Sequence, residues 1–190
     1  PRGPWRVDLP ADHGAHPGMR AENWSVVAHL QDADGDEIGL QFALQRFGLV
    51  PPDAPPPDSP WDLTALYRAH VALAEAGEAS ISEERFSRGA LGVAGDDPAS
   101  GEVWLDDWTL AYGEGEAGET IRLAASLDGR RIALTLTPRK PAVSNAGSED
   151  APFRGFALTR LGATGTIEDA AGARRVAGSA WIDRAWGDLP

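Results

Sequence analysis

The sequence contains no cysteine and a single methionine among its 190 residues. The absence of cysteine excludes disulfide bonds and thiolate-bound metal ions. Apolar residues never form a run approaching the roughly 18 that a membrane-spanning helix requires, so we expect no membrane span.

Basic residues are scarce as well. The chain has 17 Lys and Arg residues against 29 Asp and Glu residues, which gives a net charge of −12. Basic residues never form a run longer than two, as at Arg130-Arg131 and Arg174-Arg175. Nucleic acids and anionic membrane surfaces are bound by clustered Lys and Arg, so neither is expected as a partner.

The remaining composition is that of a globular protein, with 42% hydrophobic and 24% charged residues. A chain of this length fits one domain, and we expect residues 1–190 to form a single unit. Because the chain starts at Pro1 rather than Met, we expect that an upstream segment was removed. The sequence ends at Pro190, just after a distinctive tryptophan motif, and we expect that it is truncated there.

Period-two alternation dominates the chain and predicts β-strands. Trp24, Val26, Ala28 and Leu30 alternate with other residues, and a turn at residues 32–36 leads to a second alternating run. The same alternation predicts a hairpin through Asp128-Gly129 and a last hairpin around Ala170-Ala171-Gly172. We predict an all-β antiparallel barrel or sandwich of about eight to ten strands.

Helix is predicted only sparingly. Ser59-Pro60-Trp61-Asp62 has the chemistry of a helix start and predicts one or two turns reaching Tyr67. Residues 51–60 contain six prolines and predict a loop. Ala69 to Leu73 is predicted as a strand, and Trp104 to Tyr112 as one continuous strand that places Trp104 and Trp108 on the same face.

Two tryptophans, Trp181 and Trp186, bracket an adjacent acid and base near the end of the chain, Asp183 and Arg184. An acid between large aromatic rings can be desolvated and stay protonated, whereas a salt bridge to the arginine would lower its pKa. A structural ion pair is the alternative interpretation. Because neighbouring residues on a strand face opposite sides, direct pairing of Asp183 with Arg184 is not assured.

Three further groups of polar residues are candidates for a site. His13 and His16 form an H-x-x-H pattern, for which turn-forming roles are favoured over metal binding because no helix fixes both rings on one face. His29 is a candidate ligand contact. Gln41 shares a strand face with Gln45 and can offer hydrogen bonds in an apolar cavity, or lie on a solvated outer face.

Motifs for other chemistries are missing. The sequence has no G-x-S-x-G nucleophile elbow and no glycine-rich phosphate loop. We therefore find no basis for a serine hydrolase, and we expect neither a cofactor nor a metal ion.

Short motifs follow one another in a specific order over nearly the whole chain. In chain order they are Asp12-His13-Gly14-Ala15-His16, Glu22-Asn23-Trp24, His29-Leu30, Gly39-Leu40-Gln41-Phe42 with Arg46, Ala69-His70, Glu84-Arg85 with Arg88-Gly89, Trp104 with Asp107-Trp108, Lys140-Pro141, Thr159-Arg160-Leu161 and Ala180-Trp181-Ile182-Asp183-Arg184. This order resembles the carotenoid 1,2-hydratase/AttH family.

The resemblance implies a lipocalin-like antiparallel barrel, usually one of two in a chain, so residues 1–190 would be the first lobe. It also implies a hydrophobic, terpenoid- or polyketide-like ligand held at or between barrels, and it favours a periplasmic or secreted location. Members commonly carry larger or polar residues where this chain has Asn23, Ser25, Ala157 and Ala185.

Two functions are therefore predicted as alternatives. The first is a hydratase-like enzyme lobe that uses Asp183 or Glu22 as a general acid on a hydrophobic small molecule. The substrate-contacting residues would be Trp24, His29, Gln41, Arg46, His70, Trp181, Arg184 and Trp186. The second is a binding module that keeps the barrel and has lost the chemistry, which the smaller residues at positions 23, 157 and 185 favour. A purely structural lobe supporting a partner domain is a third option.

Overall fold

The structure is a computed structural model that describes residues 6–51, 55, 58–59, 61–97, 99–115, 118–145 and 152–188. The described residues form twelve β-strands in one sheet, preceded by a single 3₁₀ turn at Ala11–His13. The strands are β1 (Ala21–Asp32), β2 (Glu37–Gly48), β3 (Ala65–Glu75), β4 (Ile81–Arg88), β5 (Ala94–Asp97), β6 (Glu102–Leu105), β7 (Trp108–Gly115), β8 (Gly118–Leu127), β9 (Arg130–Pro138), β10 (Val143–Ser144), β11 (Phe153–Asp169) and β12 (Gly172–Gly187).

Neighbouring strands of the sheet are antiparallel, in the order β4-β3-β2-β1-β12-β11-β9-β8-β7-β6-β5, with β10 beside β11. The sheet curves into a nearly closed, lipocalin-like barrel, as the sequence predicts. Side chains connect its two edges: the Tyr67 hydroxyl on β3 donates to Asp96 on β5 at 2.8 Å, and Arg85 on β4 donates to Asp107 at 2.6 Å.

Alternation fixes which residues face the barrel interior. On β1, Trp24, Val26, Ala28 and Leu30 are all buried, and Val27 between them is exposed. The same alternation on neighbouring strands fills the interior with aliphatic and aromatic side chains. Burial of this apolar surface is the main force that holds the sheet closed.

The turns between paired strands follow from their residues. Asp128 and Gly129, between β8 and β9, have φ values of 48° and 73°, the left-handed region that a two-residue hairpin requires. Ion pairs link the turns at this end of the barrel, where Arg174 contacts Glu75 at 2.6 Å and Arg130 contacts Glu78 at 3.4 Å. The N-terminal segment packs against the opposite end of the barrel.

Two local predictions are wrong. Ser59 and Asp62 form a hydrogen-bonded turn, not a helix, because the sheet takes up the chain at Ala65 and buries Tyr67 as a strand residue. The predicted strand from Trp104 to Tyr112 is instead two strands joined at Asp106-Asp107.

That turn also separates the two tryptophans. Leu105 pairs with Trp108 across the turn, so Trp108 is buried and Trp104 lies on the other face. The strand predicted at Ala69 to Leu73 is confirmed as part of β3. The predicted proline-rich loop at residues 51–60 lies largely outside the described residues.

Candidate functional site

The segment of residues 6–20 lies over one end of the barrel and is attached there by a buried arginine. Arg184, on β12, has no solvent exposure, and its Nη2 lies 2.5 Å from Oε2 of Glu22 on β1. The same nitrogen donates to the backbone carbonyl of Gly14 at 2.6 Å. The arginine thus joins two strands of the barrel to the N-terminal segment.

Aromatic rings enclose this guanidinium. The Arg184 carbon Cζ lies 3.9 Å from the ring centre of Trp24 and 5.1 Å from that of Trp186. A desolvated cation over an indole face is attracted by the ring quadrupole, by about 2 kcal/mol in favourable cases. Trp24 also donates its indole N–H to the carbonyl of His13 at 3.2 Å, which is a second attachment of the same segment.

Glu22 is held ionised by its neighbours. Burial alone would raise its pKa, but hydrogen bonds from His16 and the charge of Arg184 outweigh it and bring the pKa of Glu22 below its usual range. Arg46, on β2, adds a contact of 3.2 Å to the second carboxylate oxygen. A carboxylate with these partners accepts hydrogen bonds and does not supply a proton at neutral pH.

His16 completes the attachment of the segment. Its backbone N–H donates to Glu22 at 2.9 Å, and its ring stacks on Trp186 with centres 4.0 Å apart. Its Nε2 lies 3.2 Å from Asp12. His16 therefore fixes the path of the segment. The ring of His13 packs against Tyr112 instead of Trp186.

A cavity of about 690 Å³ opens beside the 3₁₀ turn. Its walls come from the N-terminal segment, the turn between β5 and β6, and the strands β7 and β8. The lining residues are Leu9, Pro10, Ala11, His13, Ala99, Ser100, Gly101, Tyr112, Gly113, Glu114 and Glu119. This volume lies within the range of pockets that hold small organic molecules.

Buried polar atoms line this cavity without hydrogen-bond partners among the described residues. They are Nδ1 of His13 and the hydroxyl of Tyr112. The His13 ring stacks on Tyr112 with centres 3.9 Å apart, and its Nε2 lies 2.6 Å from Glu119 Oε1. Buried polar groups are normally paired, so these two atoms make the cavity a candidate site.

Tyr112 stays protonated in this setting. Burial raises the pKa of its phenol, the positive charge of Arg184 opposes that effect, and the negative charge of Glu119 adds to it. The hydroxyl is therefore a hydrogen-bond donor at neutral pH. His13 beside it is the only other titratable ring among the lining residues.

The structure brings together five of the ten residues predicted for the site. Glu22, Trp24, Arg46, Arg184 and Trp186 are buried and lie next to one another at the end of the barrel covered by the N-terminal segment.

The other five lie on the outer face. Asp183 accepts a hydrogen bond from the exposed Trp181 at 2.6 Å, His29 lies 3.8 Å from the exposed Glu37, and Gln41 is exposed. His70 is half-buried on the outward face of β3. Asp183 and Arg184 point to opposite sides of β12, as strand alternation predicts.

Sequence reasoning missed His13 and Tyr112 as members of one site. The H-x-x-H pattern singled out His13, but only the fold places it on Tyr112, which lies 99 residues further along the chain in β7.

Two other features of the surface bear on partners. A groove of about 510 Å³ on the outer face of β2, β3 and β4 is lined mainly by apolar side chains, among them Phe47, Leu66 and Phe86. A shallower concavity of about 150 Å³ contains Asn23 and Ala185, which face each other across β1 and β12.

Within the described part of the chain, no helix is long and apolar enough to cross a membrane. The same residues contain no cluster of three or more His, Asp or Glu side chains arranged to hold a metal ion.

Comparisons with known proteins give a consistent result. A family model described as AttH-like matches residues 1–190. The crystal structure of a protein described as an AttH from Nitrosomonas europaea superimposes with a TM-score of 0.80 and 24% identity, over 97% of this chain and 56% of that one. Kievitone hydratase from Nectria haematococca gives a TM-score of 0.63 and 13% identity, over 96% of this chain and 52% of that one. This chain thus spans about half the length of both. No curated protein matches it in sequence.

Proposed function

Because the chain belongs to the AttH-like family, we propose that it is a hydratase-like enzyme lobe that takes a hydrophobic small molecule into the cavity beside His13. The proposal depends on one observation: His13 and Tyr112, buried and stacked on each other, line a cavity of about 690 Å³, and Nδ1 of His13 and the hydroxyl of Tyr112 have no hydrogen-bond partner among the described residues. A bound molecule with one or two oxygen atoms would satisfy them.

The acid–base role falls to His13 in this proposal. An imidazole beside a carboxylate can accept and return a proton, and Glu119 lies against its Nε2. Tyr112 would donate a hydrogen bond to a substrate oxygen. The apolar walls at Leu9 and Pro10 would exclude water from the rest of the ligand.

Glu22 and Arg184 act as positioning residues. They hold the carbonyl of Gly14 and the backbone of His16, and so they fix the turn that carries His13. The predicted roles of Glu22 and Asp183 as general acids stay predictions. The lowered pKa of Glu22 and the outward direction of Asp183 both favour His13 instead.

A non-catalytic binding module is the second candidate. It is favoured by Asn23 and Ala185, which face each other in the outer concavity, where the resemblance to the family implies larger groups. In that case the cavity would hold a ligand without changing it.

A second lobe also remains a proposal. It is supported by the length of both solved relatives, of which this chain covers 56% and 52%. The apolar groove at Phe47, Leu66 and Phe86 would suit such a lobe, since Phe86 alone is 71% exposed. Exposed patches of this kind mark interaction surfaces in folded proteins.

Native mass spectrometry tests whether the cavity holds a small molecule. We expect the chain purified from its own host to carry an apolar compound that is lost when Ala99→Trp fills the cavity. Ala177→Trp, on an exposed strand position far from the cavity, is the matched control and should retain the compound. A compound retained equally by both variants would contradict the proposed site.

A further inference from the structure

The cavity places a hydrogen-bond donor, the hydroxyl of Tyr112, beside a base, the imidazole of His13. The phenol of Tyr112 stays protonated because burial raises its pKa. Glu22 is held ionised by His16 and Arg184 and is not among the residues that line the cavity. Adding water to an isolated alkene begins with protonation of carbon, which needs a strong acid. Adding water to a polarised C=C bond instead needs a base and a hydrogen-bond donor at the oxygen, and the stacked pair of His13 and Tyr112 supplies both.

The orientation of His13 defines which nitrogen is the base. Because the Glu119 carboxylate lies 2.6 Å from Nε2, the proton of the neutral imidazole is expected at Nε2, and Nδ1 keeps the lone pair. The stacking distance of 3.9 Å places this ring directly against the Tyr112 ring. A base and a donor this close can act on the two ends of one small, polarised group.

Charge excludes one class of ligand. The cavity wall has two carboxylates, Glu114 and Glu119, and no lysine or arginine among its lining residues. A substrate carboxylate or phosphate would be repelled there, so the ligand is expected to be neutral.

We propose that the substrate of this site is a neutral α,β-unsaturated ketone, hydrated by conjugate addition of water with Tyr112 at the carbonyl oxygen and His13 as the base. The inference rests on the proposed function, because it names the substrate class of the same cavity.

The reaction balances without an oxidant or a cofactor. Nδ1 of His13 removes a proton from water as the water oxygen bonds to the β-carbon. The electrons of the C=C bond move to the carbonyl oxygen, where the Tyr112 hydroxyl stabilises the enolate by a hydrogen bond. The enolate then re-forms the C=O bond as the α-carbon takes the proton from the imidazolium. The product is a β-hydroxyketone, and His13 returns to its neutral form.

The test uses the whole 190-residue chain and two pairs of probes. The first pair is 4-hydroxy-4-phenylbutan-2-one and its dehydration product benzylideneacetone, followed in both directions by the ultraviolet absorption of the enone. The second is prenylbenzene, an isolated alkene of similar size, followed by uptake of ¹⁸O from labelled water. Wild type is expected to interconvert the ketone pair and to leave prenylbenzene unchanged.

Variants identify the residues. Tyr112→Phe is expected to lower kcat/KM by about 100-fold or more, as for removal of one donor to a developing oxyanion. His13→Gln should lower kcat by roughly 100-fold to 10,000-fold. Tyr67→Phe is the matched control, because Tyr67 is equally buried but donates to Asp96 away from this cavity, and it should keep the wild-type rate. Circular dichroism of each variant checks that it folds.

The outcomes separate the two proposals. Hydration of prenylbenzene without action on the ketone pair would overturn the enone inference and leave the hydratase proposal standing. Full activity in Tyr112→Phe, with the fold intact, would also overturn the inference. No turnover of either probe pair, together with no bound compound in native mass spectrometry, would overturn both.

Discussion

Arg184→Met removes the cation that holds the N-terminal segment to the barrel. Methionine keeps much of the side-chain volume, so the main consequence is that Glu22 remains buried without its 2.5 Å partner. Removing one member of a buried ion pair costs about 3–5 kcal/mol. A chain of this size loses roughly 2–4 °C of Tm per kcal/mol, so we expect a fall of roughly 6–20 °C.

A double-mutant cycle with Glu22→Leu measures the coupling. If the destabilisation arises from an uncompensated charge, the double variant should be more stable than Arg184→Met alone. Thermal and urea unfolding followed by circular dichroism give the four free energies of unfolding. A loss below about 1 kcal/mol in Arg184→Met, or strictly additive effects in the double variant, would refute the reasoning.

Three further results are expected. Because the pKa of Glu22 is lower in the folded state than its unfolded value of 4.5, its ionised form stabilises the fold at pH values above 4.5. This stabilisation should be lost as the pH falls through the folded pKa, so the urea midpoint should drop less with decreasing pH in Glu22→Gln than in wild type. Gly178→Ala should cost about 2 kcal/mol or more, because its Cβ would lie 2.0 Å from a backbone oxygen on β1. Gly39→Ala, with no neighbour nearer than 3.9 Å, should instead stabilise the fold by about 0.5 kcal/mol, because alanine lowers the conformational entropy of the unfolded chain; equal Tm values would contradict this. Asp183→Asn should keep both the Tm and the activity, since its partner Trp181 is exposed; loss of activity alone would instead identify Asp183 as the acid.

The interior faces of the strands can be predicted from the sequence. Trp24, Val26 and Leu30 identify the buried face of β1 by alternation alone. The same rule applied to β12 places Ile182 and Trp186 inside, which puts Asp183 outside. The alternation of β12 thus already predicted that Asp183 does not face the barrel interior.

Other features depend on pairing that one sequence does not reveal. Glu22 meets Arg184 only because β1 pairs with β12, at the far end of the chain. His13 reaches Tyr112 only because residues 6–20 fold across the end of the barrel. No periodicity encodes either approach.

The missed turn at Asp106-Asp107 has a local cause. Asp106 adopts a φ of 54°, and Asp tolerates this conformation better than most residues. Two successive acids between Leu105 and Trp108 were the available signal, and the alternating apolar pattern on both sides concealed it. Similarly, the capping residues at Ser59 and Asp62 serve a turn as readily as a helix.

The central claim is that His13 and Tyr112 bind the ligand in the cavity beside the N-terminal segment. The most direct measurement is ¹⁵N NMR of the histidine rings during titration with benzylideneacetone, with His13 assigned by His13→Gln. The chain has 4 histidines, of which His29 and His70 lie on the outer face. We predict that the ring resonances of His13 shift with added ligand while those of His29 and His70 stay fixed. Unchanged His13 resonances, with shifts at either outer histidine, would contradict the claim.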